Sequence, residues 1–306
     1  MTEADGSDRV LRAFAPAKIN RELRVGRLRP DGFHEIFSRF SAIDLCDEIE
    51  VEPGGLQGLR LSITGLALAP GEDNLVLRAG RALAARLRIS PRATIRLRKR
   101  IPIGAGLGGG SSDAAATLRL LRALWAPDLP DEDLREIAPT LGSDVPYFLT
   151  GGEADVSGRG EAVQPRPDAP PAELLLLIPP FALSTAEVFA EHARQTSEEP
   201  ALPERLEIGE IGSGSKFFGP NQLASAVLAV KGVMKAYLKS AALAATEAAI
   251  TGSGSTIILF GAGAGAEKQL ERDHPEATLL RARTLGRREY DERTRPAGGS
   301  LWRSPR

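Results

Sequence analysis

The chain has a single cysteine, Cys46, so no disulfide can form within it. It lacks an excess of either charge: 39 Lys+Arg face 40 Asp+Glu, a formal net charge of -1. The arginines are dispersed among Asp and Glu, the pattern of a solvated surface, and no basic field is left over for a nucleic-acid backbone. Nucleic acid is therefore not an expected partner. Long apolar runs are absent as well. The longest, Leu174 to Pro180, falls well short of the roughly 20 residues that cross a bilayer, so no membrane partner is expected. The start, Thr2-Glu-Ala-Asp-Gly-Ser-Asp8, is acidic and polar with no apolar run behind it, which reads as no secretory signal and makes the cytoplasm the expected compartment. Cys46, in Ala42-Ile-Asp-Leu-Cys-Asp47, is expected as a buried strand thiol and not as a nucleophile.

Glycine, by contrast, is concentrated. Five of the seven residues from Gly104 to Gly110 are glycine, inside Ile101-Pro-Ile-Gly-Ala-Gly-Leu-Gly-Gly-Gly-Ser-Ser-Asp113. At that density backbone N–H groups can approach an anion closely, with no Cβ in the way. The segment from Asp113 to Trp125 reads as a helix, with Leu118, Leu121, Leu124 and Trp125 spaced for one apolar face. A glycine loop that opens a helix favours phosphate, because unpaired N–H groups and the helix dipole both attract negative charge.

Two familiar phosphate loops do not fit. Gly104-Ala-Gly106-Leu-Gly108-Gly109 satisfies the dinucleotide pattern G-x-G-x-x-G, which should follow a buried parallel strand and precede an acidic strand end about 20 residues on. The stretch from Thr94 to Ile101 instead alternates apolar and basic residues, as a half-exposed antiparallel strand does, and Asp128 and Asp131 fall among turn-forming prolines. No Gly-Lys-Ser/Thr closes the loop, so the Walker pattern fails too.

Pro102-Ile-Gly-Ala-Gly-Leu-Gly-Gly-Gly-Ser-Ser-Asp-Ala114 resembles the Pro-x-x-x-Gly-Leu-Gly-Ser-Ser-Ala loop of the GHMP kinases, with two extra glycines before Ser-Ser. That expanded form is similar to the branch serving non-mevalonate isoprenoid synthesis. Three further stretches are similar to motifs of that branch, in its order: Ala15-Pro-Ala-Lys18-Ile-Asn20, Arg29-Pro-Asp-Gly-Phe33-His34 and Leu141-Gly-Ser-Asp144-Val-Pro146. Thr251-Gly-Ser-Gly-Ser255 resembles its late glycine loop, and the likeness runs from about Phe14 to Phe260.

The residues and the resemblance together predict an α+β chain. At 306 residues it exceeds a usual single core, so two domains sharing a cleft are expected. Strands are read at Val10 to Ala15, Ile19 to Val25, Phe37 to Leu45, Asp47 to Val51 and Leu59 to Ile63, before a helix from about Asn74 to Arg86 capped by Asp73 or Asn74. Massed strands followed by a packed helix indicate α+β and not alternating βαβ units. The linker Pro165 to Pro171 sets an N-terminal ATP-binding domain at 1–167 and a C-terminal domain at 168–306, with a disordered tail from about 295. The resemblance implies the GHMP kinase fold, with its active site in the interdomain cleft.

It also implies roles for single residues. Phosphoryl transfer needs positioned charge and an oriented hydroxyl. Asp144 is the expected catalytic base, and Lys18 the cation that keeps it ionised and polarises the acceptor oxygen. ATP would be held by Lys99, Pro102, Gly104, Ala105, Gly106, Leu107, Gly108, Gly109, Gly110, Ser111 and Ser112, with Mg²⁺ as cofactor and Ser112 as a candidate metal contact. The acceptor, a cytidine diphosphate conjugate of a sugar alcohol, would meet Asn20, Phe33, His34, Phe189, Gly252, Ser253 and Gly254. Phe33 stands where the branch has tyrosine, keeping a stacking face and losing a hydroxyl. Asn20-Arg21-Glu22-Leu23 puts two charges where the branch is apolar, and Asn221-Gln222 replaces Asn-Asp. Two alternatives stay open: another small-molecule kinase of the same superfamily, of homoserine or mevalonate type, and a catalytically silent nucleotide-binding member.

Overall fold

Two long strands carry the first half of the chain. The computed structural model describes residues 10–54, 58–66, 71, 73–196 and 216–299. Strand β1 (Leu11–Leu28) runs antiparallel to β2 (His34–Pro53), where four shorter strands were expected. The apparent breaks are bulges. Register passes from Pro16↔Cys46 to Ala17↔Ile43, so extra β2 residues are accommodated without ending either strand. Cys46 sits in that bulge, buried, with its thiol pushed up to about 12 chiefly by desolvation, as befits an inert side chain.

The chain continues through β3 (Gly58–Gly65), α1 (Leu75–Leu87), β4 (Arg92–Lys99), α2 (Gly109–Trp125), α3 (Asp131–Leu141), the single turn α4 (Val145–Phe148), β5 (Glu153–Gly158) and β6 (Ala162–Pro165). Asn74 caps α1, its side chain accepting from Val76 N, a contact worth about 1 kcal/mol. Strand β4 alternates buried and exposed residues as expected, pairing antiparallel with β2 but parallel with β3. Helix α2 lays Ala114, Leu118 and Leu121 against Ile49, Val51, Ile95 and Leu97 in one core.

A second sheet follows. It contains β7 (Glu173–Ile178), then β8 (Ala245–Ile250), β9 (Ile257–Ala262) and β10 (Thr278–Arg283), in the antiparallel order β10-β7-β9-β8. Helices α5 (Thr185–Gln195), α6 (Ala224–Val230), α7 (Met234–Ala244) and α8 (Ala266–Asp273) accompany it. The apolar run in β7 is explained by burial on both faces. Leu175 and Leu177 pack with Val188, Val227 and Tyr237, while Leu174, Leu176 and Ile178 pack with Ala17, Ile19, Ile101 and Leu107 of the first half. The chain then returns to the first sheet through α9 (Arg287–Thr294) and β11 (Ala297–Gly298), which pairs with Leu11 and Arg12. Of the tail expected to be disordered from about 295, Arg295–Gly299 is described and the remainder lies outside the described residues. No helix among the described residues is long and apolar enough to cross a membrane.

The two unexpected charges in β1 are buried and paired. Arg21 is 1% exposed; its Nη1 donates to Glu153 Oε2 at 2.9 Å, its Nε donates to Phe217 O, and its guanidinium lies over the Phe217 ring. Glu22 accepts from Arg24 Nε at 2.7 Å. Removing one partner of such a pair strands a charge away from water, so Glu153→Ala is expected to lower unfolding free energy by about 3–5 kcal/mol in a denaturant titration. A loss below about 1 kcal/mol would mean that Arg21 is compensated elsewhere.

Candidate active site

The glycine run leaves β4, turns, and becomes the first turn of α2. The helix starts at Gly109, four residues before the expected Asp113, because Gly108 takes the left-handed conformation (φ 72°) that ends the loop. No side chain caps this terminus, which leaves its backbone N–H groups for an anion. Only glycine fits at Gly104, where a Cβ would lie 2.6 Å from Ala182 Cβ, and at two further points. A Cβ on Gly108 would lie 2.8 Å from the Phe148 ring and 3.1 Å from Lys18 Cγ; one on Gly106 would lie 2.7 Å from Thr251 O and 2.8 Å from Gly254 O. The first glycine loop is thus seated directly on the late one. Lys18 N donates to Leu107 O at 3.0 Å, tying the loop to β1.

Beneath the loop lies a buried ionic group. Lys99 Nζ donates to Asp47 and, at 2.8 Å, to Asp113 Oδ2; Asp47 Oδ1 also accepts from Arg100 N at 2.5 Å and Ile101 N at 2.9 Å. Burial opposes the charge on Lys99, but Asp113 and Asp47 outweigh it and hold the ammonium above its ordinary range. One lysine cannot neutralise two buried carboxylates. Burial, followed by Asp47, drives Asp113 well above the usual carboxylate range, against the pull of Lys99.

The expected catalytic pair is built on β1 and the turn before α4. Lys18 Nζ stands 3.6 Å from Asp144 Oδ2, donates to Asn20 Oδ1 at 2.7 Å, and sits 4.6 Å from the Phe40 ring centroid. Asn20 is itself held, with Nδ2 donating to Ser38 Oγ at 2.9 Å and its backbone N donating to Thr251 Oγ1 at 2.8 Å. Asp144 is the more open partner: its side chain is 29% exposed against 6% for Lys18. The ammonium is therefore fixed in a buried frame, while the carboxylate faces the space beside the loop.

At the other end, Phe33 is 46% exposed on the cavity wall. His34 stacks on Phe189 with centroids 5.6 Å apart. His34 Nδ1 is 3.0 Å from Gly26 O; a carbonyl only accepts, so Nδ1 carries a proton there. His192 meets His34 edge-on, and desolvation, then His34, lower its imidazole below the ordinary range.

One cavity of about 1040 Å³ collects these groups. Lys18, Asn20, Phe33, His34, Lys99, Pro102, Gly104, Ala105, Gly106, Leu107, Gly108, Gly109, Gly110, Ser111, Asp144, Phe189, Gly252 and Ser253 line it. Ser112 and Gly254 do not: Ser112 Oγ is spent on Pro16 O at 2.7 Å, and Gly254 lies behind Ser253 against Leu183. Asn221 braces the late loop from outside, donating to Ile250 O and Gly252 O, both at 2.8 Å, while Gln222 Oε1 accepts from Val25 N. Sequence reading missed the site contacts of Asp47 and Ser38, and named Thr251 only as part of the late glycine loop. Asp47 had a visible signal, a carboxylate at an apparent strand break; the others become legible only when distant segments meet.

Comparisons with known proteins agree on one family. The GHMP kinases N terminal domain matches residues 74–152. A 4-diphosphocytidyl-2-C-methyl-D-erythritol kinase from Salinispora tropica is 38% identical over 273 residues, covering 86% of this chain and 87% of that protein. The enzyme of the same name from Pelotomaculum thermopropionicum is 46% identical over 180 residues, 59% of this chain and 63% of that protein. A crystal structure of 4-(cytidine 5'-diphospho)-2C-methyl-D-erythritol kinase superposes with a TM-score of 0.75 at 30% identity, covering 90% of this chain and 99% of the other. A homoserine kinase from Cytophaga hutchinsonii, at 17% identity and a TM-score of 0.63, shares the fold.

The contact between the two glycine loops generates a prediction. Gly106→Ala must push backbone against backbone at a positive φ, so it is expected to lower stability by about 1–3 kcal/mol and to weaken ATP binding at least ten-fold, about the same free energy. Calorimetric titration with ATP checks it. Unchanged affinity would mean that the loops can separate without cost to the anion site.

Proposed function

The chain belongs to the 4-diphosphocytidyl-2-C-methyl-D-erythritol kinases of the GHMP superfamily, and we propose that it transfers the γ-phosphoryl of ATP to the 2-hydroxyl of that cytidine conjugate within the cavity described above. The observation that carries this reading is the Lys18–Asp144 pair, 3.6 Å apart, lining one cavity with the glycine loop at the start of α2 and with Phe33, His34 and Phe189.

The α2 terminus and the loop from Gly104 to Gly110 cradle the phosphates with backbone N–H groups. At the opposite end Phe33 offers a stacking face to cytosine, and His34 Nε2, in the neutral ring, can accept from its amino group. The acceptor hydroxyl then lies beside Asp144. Its proton goes to the Asp144 carboxylate as its oxygen bonds to the γ-phosphorus. The bond from that phosphorus to the bridging oxygen breaks, and ADP leaves. Lys18, 3.6 Å from Asp144, stabilises charge on the oxygen atoms in transit. Asn20 acts through Lys18, holding the ammonium in place.

Mg²⁺ belongs to this proposal. Arriving on nucleotide phosphates, it needs only one or two protein oxygens, and it would neutralise charge on the transferring group. Ser111 lines the cavity and fits that need, whereas the Ser112 hydroxyl is engaged by Pro16. The reading also carries a cytoplasmic location and the division into domains at 1–167 and 168–306, for which the change of sheet after β6 speaks and the return of β11 to the first sheet does not.

The test is ADP release with ATP, Mg²⁺ and 4-diphosphocytidyl-2-C-methyl-D-erythritol. Turnover is expected, and Asp144→Asn is expected to lose about 10²- to 10⁴-fold in kcat while still binding ATP. Full activity in that variant would remove Asp144 as the base. ATP binding without turnover would redirect the search to other alcohols, and failure to bind ATP would end the kinase reading.

A further inference from the structure

Three cations line the cavity: Lys18, Lys99 and Arg159. Two are already neutralised, Lys18 by Asp144 and Lys99 by Asp47 and Asp113. The Arg159 side chain makes no ion pair within 4.0 Å among the described residues, although Asp31 lies near enough to feel its charge. Its guanidinium lies 4.9 Å from the Phe33 ring centroid, and Nη2 donates to Pro139 O at 2.9 Å. Neighbouring acids are turned elsewhere. Glu161 accepts from the Arg159 backbone N at 2.7 Å and reaches Arg29 at 3.9 Å; Asp31 is engaged by Arg29 at 3.3 Å and by Phe33 N at 3.2 Å. A guanidinium has five N–H donors in a planar fork, so most of those on Arg159 remain for a ligand.

Its position is specific. Arg159 lies in the turn between β5 and β6, and the next residue, Gly160, is backed onto Ser143: a Cβ there would be 3.0 Å from Ser143 Cβ. Ser143 and Asp144 form the reacting end, and Phe33 belongs to the base-stacking end. Arg159 therefore stands between the two places that a cytidine conjugate would occupy at once. The geometry points to Arg159 as the cation that receives the diphosphate of the acceptor, stacking on Phe33 while its free N–H donors reach the phosphate oxygens. This assignment rests on the cytidine-conjugate reading given above. It also gives Phe33 a second purpose, since the ring that stacks on a base on one face steers the guanidinium from the other.

Binding of cytidine and of cytidine diphosphate to the unmodified chain, Arg159→Gln and Arg159→Lys tests it without turnover. The unmodified chain should prefer the diphosphate. Arg159→Gln should weaken the diphosphate by about ten- to hundred-fold, the size of a charge-assisted contact, while changing cytidine far less. Arg159→Lys should recover part of the loss, and added salt should weaken diphosphate binding more in the unmodified chain than in Arg159→Gln. Equal weakening of both ligands in Arg159→Gln would reduce Arg159 to a support for Phe33 and overturn the assignment; so would no change in either. If the unmodified chain binds ATP but neither cytidine nor its diphosphate, the cytidine reading itself fails and this assignment falls with it.

Discussion

One lysine between two buried carboxylates sets the floor on which the cavity stands. Lys99 ends β4, Asp47 lies in β2 beside its bulge, and Asp113 belongs to the first turns of α2, so their contact joins three elements at the point where the glycine loop begins. Asp47 adds bonds to Arg100 N and Ile101 N, which fix the direction in which the chain enters the glycine run. The charge of Lys99 is consumed in this arrangement. An anion bound above it would meet backbone dipoles, in a loop where Gly104, Gly106, Gly108 and Gly109 leave no room for a Cβ.

The same economy of charge appears at the reacting end. Asn20, held by Ser38 and Thr251, fixes the Lys18 ammonium in a buried frame over Phe40, and Asp144 alone of that group is substantially open. The second sheet supplies the rest of the wall. Because β7 is buried on both faces, one face presses against Ile19, Ile101 and Leu107 while the other carries the helices that bring Phe189 and His192 to the aromatic end. Apolar packing therefore decides how far apart the loop and the aromatic wall stand, and so how long a molecule can bridge them.

Much of this was legible in the chain before folding. The glycine run, the helix behind it and the half-exposed strand before it follow from local steric and periodic constraints, and the Ala-Lys-Ile-Asn, Gly-Phe-His and Gly-Ser-Asp motifs pointed to residues that do meet in one cavity. Other features were hidden by distance along the chain. Lys99 was expected to hold ATP, but its partner Asp47 lies 52 residues away, so its neutralisation could not be read locally. Arg21 and Glu22 looked like defects in an apolar strand until Glu153 and Arg24 were seen beside them. Strand bulges resemble strand ends in a sequence, because both interrupt the two-residue period while only one interrupts the sheet. Ser112 shows the limit of motif transfer: its neighbour Ser111 faces the cavity, and a single helical step turns its own hydroxyl to Pro16.

The central claim is a single direct transfer between two molecules held at opposite ends of one cavity, with Asp144 taking a proton and not a phosphoryl group. The stereochemistry at phosphorus tests it most directly, using ATP made chiral at the γ-phosphorus with oxygen isotopes and 4-diphosphocytidyl-2-C-methyl-D-erythritol as acceptor. One in-line displacement predicts inversion of configuration in the phosphorylated product. Retention would require two displacements through a phosphorylated side chain and would contradict the mechanism.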